Sequence, residues 1–383
     1  MFLGVGFLQI IIGAWFVTVG FTAAQAGALI SAQGITVVVS SIPLGIVSDI
    51  YGRKRLLVLG NIIGAVGLLG FALTTNFWYL LAVSVALGFA EGASVTTWNA
   101  LLADITDSSN RNRVFSLSFI MINVTTGVGL ALPALFPALQ GAFGVSNYAI
   151  HRQSLLLFGL ASFASPLMFY SLLRSHKETH NPERKWTGLK NKGTLAKLGF
   201  TATTIGFGAG FIIPLVGSWF FYRFAVADNI SGPILALSNI LIGFSAVASP
   251  RLASKFGQME AILLTTGSSM LFMLSMAFIP VFAVAAGFYI VRSALMNMAG
   301  PLLDSFSMSI FPANQRGVVS AMSNVMFRLP NSVSTYFGGV ILGMGMLQLP
   351  FFIASGLYIA GLAGFYFFFV LNKMHTAELA QLQ

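Results

Sequence analysis

Long runs of apolar residues alternate with short polar turns along most of the chain. A bilayer core about 30 Å thick takes roughly 20 apolar residues per helix, and the runs have about that length. Lipid offers no hydrogen-bond partners, so each crossing must satisfy its own backbone groups, as a helix does. The pattern predicts an all-α integral membrane protein. Its twelve predicted spans are residues 2–19, 23–48, 55–74, 77–103, 114–141, 152–174, 197–223, 230–252, 260–280, 282–304, 317–345 and 349–372.

Composition supports this fold and excludes several classes of function. Of the 383 residues 56% are hydrophobic and only 8% charged, whereas soluble domains carry roughly a quarter charged residues. The chain has no cysteine, which excludes disulfides and thiol chemistry. The formal charge of +10 does not form a patch for nucleic acid, because the basic residues punctuate the apolar runs. The expected macromolecular surroundings are therefore the lipid bilayer, with no nucleic-acid partner.

The basic residues predict how the helices are oriented. Of the 20 lysines and arginines, 16 follow even-numbered spans, at the membrane end that we call the basic end. Basic loops mark the cytoplasmic side, so both termini are predicted to be cytoplasmic, and the short loops indicate a prokaryotic cell membrane. The 16 residues are Arg53, Lys54, Arg55, Arg111, Arg113, Arg174, Lys177, Arg184, Lys185, Lys190, Lys192, Lys197, Arg251, Lys255, Arg316 and Lys373.

Two local matches indicate an internal repeat. The sequence around Gly52 aligns with that around Gly257 at an offset of 205 residues, and Ser116 aligns with Ser320 at an offset of 204. Parallel repeats of this kind occur in secondary transporters. The predicted domains are an N-terminal six-helix bundle at 1–174, a cytoplasmic linker at 175–196 and a C-terminal six-helix bundle at 197–383. At the 204 offset, Arg292 would occupy the position of Gly88.

The segment "GIVSDIYGRKR" between spans two and three carries the most specific motif. It resembles the signature of the major facilitator superfamily, a glycine, an aspartate and a second glycine followed by three basic residues. The resemblance implies two six-helix bundles around a cavity that opens to each side in turn. We expect the motif to form a conformational latch, with Asp104 either a member or a solvated helix end. The predicted latch residues are Gly45, Asp49, Gly52, Arg53, Lys54, Arg55 and Asp104.

Glu91 lies midway along the fourth predicted span. A carboxylate at this depth is costly and usually has a partner or a task. Two interpretations remain open: a proton-coupling group, which we favour, or a static partner of an intramembrane arginine. The segment resembles the superfamily's Arg-x-x-Gln-Gly motif in this span, with Gly88, Glu91 and Gly92 present but the arginine missing.

The superfamily resemblance implies that spans one, four, seven and ten line the substrate cavity. Arg328, in span eleven, either lines this cavity or serves the latch. If both intramembrane arginines face the cavity, an anionic or hydrogen-bonding solute is indicated. The predicted cavity residues are Gln9, Trp15, Trp98, Tyr289, Arg292 and Arg328.

No sequence motif indicates an enzyme, a nucleotide site or a cofactor. A Walker loop and a catalytic triad are both missing, and His176 and His180 lie in a charged, proline-containing stretch that disfavours a metal site. We therefore expect a monomeric secondary transporter that moves a small solute by alternating access, coupled to protons. General similarity to drug and sugar exporters favours export. The alternatives are proton-coupled uptake or facilitated diffusion of a sugar or organic anion, or a non-transporting sensor or scaffold.

Overall fold

Helices account for nearly all of the described structure. The computed structural model covers residues 2–107, 110–173, 192–311 and 315–371, and contains no strand within them. Each predicted span coincides with one helical segment. The segments are α1 Phe2–Thr18, α2 Ala23–Tyr51, α3 Arg53–Leu73, α4 Phe77–Ile105, α5 Arg113–Phe143, α6 Asn147–Leu172, α7 Lys192–Phe224, α8 Asp228–Phe256, α9 Gln258–Met276, α10 Phe282–Ile310, α11 Arg316–Gly343 and α12 Leu349–Leu371.

The predicted membrane fold is confirmed, although the count of twelve crossings is not settled by helix length and composition. Among the described residues, nine segments are long and apolar enough to cross a membrane, or ten if the bent helix α8 counts as one span. Segment α1 is apolar but shorter, and it contains a π-helical turn at Ile11–Trp15. Twelve crossings therefore stay a prediction.

Side-chain caps and a glycine set several helix boundaries. At the start of α2, Thr22 and Gln25 form a capping box, each side chain accepting from the other residue's backbone N–H. Asn76 caps α4 and Ser146 caps α6 by accepting from backbone N–H groups. These contacts satisfy donors that have no intrahelical partner. Helix α2 ends at Gly52, whose φ of 98° is a conformation that glycine adopts readily.

The helix bounds support the internal repeat and correct its register. Helices α2, α3 and α4 begin at residues 23, 53 and 77, and α8, α9 and α10 begin 205 residues later at 228, 258 and 282. Gly257 has a φ of 90°, matching Gly52. The 204 offset is therefore wrong by one residue, and Ser293 occupies the position of Gly88. One residue rotates a helical position by about 100°, so Arg292 lies on a different face from the one predicted.

Glycines bring α1 against α5, and α7 against α11. A methyl group at Gly6 would lie 2.1 Å from the carbonyl oxygen of Thr126. One at Gly338 would lie 2.1 Å from the carbonyl oxygen of Phe211. Side chains cannot be accommodated at such distances, so backbone packs directly on backbone, as is common between membrane helices.

The chain divides into two compact units by packing. These units differ from the predicted domains, which follow the sequence repeat and stay a prediction. Residues 175–191 of the predicted linker lie outside the described part of the chain. Unit 1 comprises Met1–Lys185 with Pro214–Gly243, and unit 2 comprises Trp186–Ile213 with Phe244–Gln383.

Within unit 1, the second half of α7 and the first half of α8 pack tightly on α1 and α5. The Ser218 hydroxyl donates to the carbonyl oxygen of Gly13 at 2.5 Å. A methyl group at Gly232 would lie 2.4 Å from the carbonyl oxygen of Leu130. Both contacts lie at the membrane end opposite the basic end, because α1 ends there and α8 begins there.

Candidate functional site

Glu91 lies on α4 inside unit 1, beside a small polar-edged cavity. The Gln33 amide donates to the Glu91 carboxylate, with 3.1 Å between Nε2 and Oε2. Asn61 and Ser162 supply further polar groups to the cavity, which has room for about one water molecule. The apolar part of its wall comes from Val5, Leu8, Gly64, Ala65, Leu68, Leu87 and Ala90.

The polar groups around Glu91 suit a carboxyl group in either protonation state. The Gln33 side chain carries both donors and an acceptor, so it can donate to a carboxylate or accept from a carboxylic acid. Asn61, only 2% exposed, is already engaged: its amide donates to the Leu57 carbonyl at 2.8 Å and its carbonyl accepts from the Ser165 hydroxyl at 2.8 Å. Within unit 1, Glu91 is therefore held by a neutral amide.

The structure brings the central members of the predicted latch together at the basic end of unit 1. The Arg53 guanidinium lies 3.5 Å from the Asp49 carboxylate and also contacts the Asp104 carboxylate. A third contact runs from Arg53 to the carbonyl oxygen of Ala100 at 2.7 Å. We call Asp49, Arg53 and Asp104 the Arg53 network; it ties the last turns of α2 and α4 to the first turn of α3.

The flanking latch residues have separate environments. Lys54 lies over the ring of Tyr170, with 4.6 Å from Nζ to the ring centroid, and Arg55 is exposed. A methyl group at Gly45 would meet the Thr96 side chain at 3.4 Å, an ordinary contact. The structure thus groups Asp104 with Arg53 and Asp49 rather than leaving it as an isolated helix end.

The predicted cavity residues are divided between the units and differ in exposure. Gln9 and Arg328 are exposed. In unit 1, the Trp98 indole donates to the Ser118 hydroxyl at 2.9 Å. In unit 2, Tyr289 and Arg292 are 8% and 4% exposed. Their assignment to a substrate cavity stays a prediction.

Arg292 contacts protein rather than open space. Its Nη2 donates to the Tyr358 hydroxyl at 2.7 Å, while its backbone carbonyl accepts from the Ser269 hydroxyl at 3.0 Å. Among the residues that the structure describes, none accepts a hydrogen bond from the Nε atom of this buried guanidinium. Arg292 is therefore a buried cation of unit 2 with a neutral phenol as its hydrogen-bonded partner.

Sequence reasoning missed a buried acid–base pair at the end of unit 1 opposite the Arg53 network. His151 Nε2 lies 2.7 Å from Asp228 Oδ2, and the two side chains are 1% and 3% exposed. Trp15, predicted to line the cavity, stacks on the His151 ring at 4.4 Å between centroids. A usable signal was present: of the four histidines, only His151 directly precedes a predicted span, the one at 152–174.

Comparison with known proteins identifies the family. The sequence model of the Major Facilitator Superfamily matches residues 1–335. The chain belongs to the Major Facilitator Superfamily. It is therefore a multi-pass membrane transporter of small molecules and not an enzyme.

Bacterial relatives and a solved structure agree with this assignment. The chain is 22% identical to the uncharacterized MFS-type transporter YqjV of Bacillus subtilis over 380 residues, covering 94% of this chain and 88% of YqjV. It is 21% identical to the quinolone resistance protein NorA of Staphylococcus aureus over 401 residues, covering 100% and 96%. A bacterial homolog of the human lysosomal transporter Spinster, solved inward-facing and unoccupied, has a TM-score of 0.72 at 14% identity, covering 96% and 93%.

Proposed function

We propose that this superfamily transporter couples movement of a small solute to protons through Glu91, and that it exports that solute. The observation that carries the proposal is an intramembrane carboxyl group, on α4 in unit 1, whose hydrogen-bond partner within that unit is the neutral amide of Gln33. A carboxyl group without a fixed cationic partner can change its charge as it gains or loses a proton. Similarity to NorA, named for quinolone resistance, supports export of drug-like compounds.

We further propose that the Arg53 network acts as a latch at the cytoplasmic side of a cell membrane. Arg53 joins carboxylates from two helices, so its contacts can form in one conformation and release in another. Its predicted location rests on the clustering of basic residues at this end of the helices.

Transport assays with the purified protein in proteoliposomes test the coupling role. The probes are a fluoroquinolone, a lipophilic cation, a sugar and an organic acid, each with and without an imposed pH gradient. We expect the pH gradient to drive accumulation of one probe. Glu91→Gln should abolish that accumulation but still allow the probe to move down its own concentration gradient. Glu260→Gln, at an exposed position on α9, is the matched control and should behave like the unaltered protein.

Undiminished gradient-driven accumulation in Glu91→Gln would exclude the coupling role. Flux of a probe that is indifferent to the gradient in the unaltered protein would instead indicate a facilitator. Flux of no probe by a correctly folded protein would favour a sensor or scaffold.

A further inference from the structure

His151 and Asp228 meet deep inside unit 1, at the membrane end opposite the basic end. His151 is the fifth residue of α6, at the start of its second turn, and Asp228 is the first residue of α8, 77 positions further along the chain. Neither residue belongs to the Glu91 site or to the Arg53 network. Because both side chains are almost fully buried, their ionic states must be mutually compensated.

Hydrogen-bond chemistry fixes how many protons the pair holds. His151 Nδ1 lies 2.7 Å from the carbonyl oxygen of Asn147, which only accepts, so Nδ1 must carry a hydrogen. The 2.7 Å contact from Nε2 to the Asp228 carboxylate then needs a second hydrogen, on Nε2 or on the carboxyl group. The pair thus contains one proton more than a neutral imidazole beside a carboxylate.

Removing that additional proton would leave an unfavourable arrangement. A lone pair on Nε2 would face the carboxylate oxygen, or, in the other tautomer, a lone pair on Nδ1 would face the Asn147 carbonyl. The pair would also carry a net negative charge in a buried site. With the proton, it is neutral overall and both ring nitrogens are satisfied.

The walls of the site favour the protonated pair. The Trp15 ring stacks on the imidazole with an interplanar angle of 5°, and the indole N–H donates to the Asn147 side chain at 2.9 Å. The Phe136 ring lies 4.7 Å from the imidazole between centroids, in a T-shaped arrangement. A cation over an aromatic face is stabilised by the ring electrons, so Trp15 supports an imidazolium form.

Other ionisable groups on the surrounding segments are directed elsewhere. The exposed Arg152 donates to the carbonyl oxygen of Ala72 at 2.9 Å, and Tyr148 has its ring 5.9 Å from that of Trp15. On α7, the Arg223 guanidinium lies over the Phe224 ring at 5.9 Å, and Tyr222 is exposed. No further ionisable side chain occurs on α1, on α5 after Arg113 at the basic end, or on α8 from residue 229 to residue 243.

We propose that His151 and Asp228 form a proton-binding site that is loaded while α6 and α8 are packed together and is emptied when they part. In water, a separated imidazolium has a pKa of about 6.5 and a carboxyl group one of about 3.9, so neither retains the additional proton at neutral pH or above. The proton held between Nε2 and Oδ2 therefore passes to water when the pair opens, and one proton is taken from water when it closes. By linkage, a lower pH favours the packed arrangement.

This inference rests on the proposed function as a transporter that changes conformation, but it does not depend on Glu91. It assigns a second protonation site to the end of unit 1 opposite the latch. Opening at this end is then accompanied by proton release, whichever solute is carried.

Distance measurements between spin labels test the site without knowledge of the solute. The chain has no cysteine, so Gln153→Cys on α6 and Ile230→Cys on α8, both exposed, provide unique attachment points. The full-length protein in lipid nanodiscs is measured from pH 5.5 to 8.5. We expect the ratio of short to long distances to fall with rising pH, by up to tenfold per pH unit for one linked proton.

His151→Gln, Asp228→Asn and the double variant should each remove most of this pH dependence. Glu91→Gln should retain it, which separates this site from the coupling role proposed above. Tyr148→Phe, also at the start of α6, is the matched control. If a variant fails to fold, the other two variants still decide the outcome. A pH-independent distance ratio in the unaltered protein, or an undiminished pH response in the folded Asp228→Asn variant, would overturn the proposal.

Discussion

The Arg53 network and the His151–Asp228 pair occupy opposite ends of unit 1 and differ in how far their charged side chains are exposed to water. The Arg53, Asp49 and Asp104 side chains are 21%, 37% and 30% exposed, whereas His151 and Asp228 are 1% and 3% exposed. Water screens the first set, so its contacts are weak and can exchange rapidly. The second set is desolvated, so removing one of the two side chains is costly. The stability of the pair also depends on whether it holds its additional proton.

The largest expected effect follows from removing one partner of the buried pair. Asp228→Ala would leave the His151 imidazole without its Nε2 partner, and we expect a loss of about 3 kcal/mol or more in the free energy of unfolding. Denaturation in mixed detergent micelles, followed by tryptophan fluorescence, measures this loss. Arg223→Gln, at an exposed position on α7, is the control.

A double replacement sharpens this prediction. His151→Phe with Asp228→Leu removes both ionisable groups and fills a similar volume, so most of the lost stability should return. Equal destabilisation by the single and double variants would show that the cost comes from packing around Trp15 instead of from an unpaired group.

A smaller effect is expected at the turn that carries the Arg53 network. Gly52 has a φ of 98°, so Gly52→Ala would force a side chain into strained backbone, at a cost of about 1 to 3 kcal/mol. The same denaturation experiment should leave Gly287→Ala near the unaltered protein, since a methyl group there meets no atom within 4 Å. If the two substitutions have equal effects, the turn does not impose the conformation described.

The smallest effect is expected from the network's own charges. Asp104→Asn should lower the free energy of unfolding by no more than about 1 kcal/mol, because the ion pair is partly exposed. Raising the salt concentration from 0.05 to 0.5 M should reduce the difference further. A loss as large as that in Asp228→Ala, or a difference insensitive to salt, would contradict the distinction drawn between the two ends.

Sequence patterns were sufficient for the helices and for part of the Arg53 network. Apolar runs long enough to cross a bilayer located all twelve helical segments, because lipid forces each crossing to hydrogen-bond internally. The spacing of Asp49, Gly52 and Arg53 was interpretable because the three residues meet across a single turn. Helix α4, capped by Asn76, begins at its predicted limit, whereas the cap at Ser146 starts α6 at Asn147, five residues before the predicted limit at 152.

The buried pair was not predictable in the same way. His151 and Asp228 each stand at the beginning of an apolar run, where polar residues ordinarily face the interface. Only the tertiary packing of α6 and α8 shows that they meet, and no local spacing connects residues so far apart. The register of the repeat failed for a related reason: a short match at Ser116 and Ser320 could not distinguish two offsets, whereas the helix starts could.

The lengths of α2 and α4 relate the Arg53 network to the thickness and the headgroup charge of the surrounding bilayer. Helices α2 and α4 are each 29 residues long, about 43 Å at 1.5 Å per residue, while the hydrocarbon layer is about 30 Å thick. Asp49 and Asp104 lie in the last turns of these helices, so the additional length carries them toward the lipid headgroups. A thicker bilayer would draw both carboxylates toward hydrocarbon and strengthen their hold on Arg53. Anionic headgroups would compete with them for the same guanidinium, so the strength of the Arg53 network should depend on the lipid composition of the membrane.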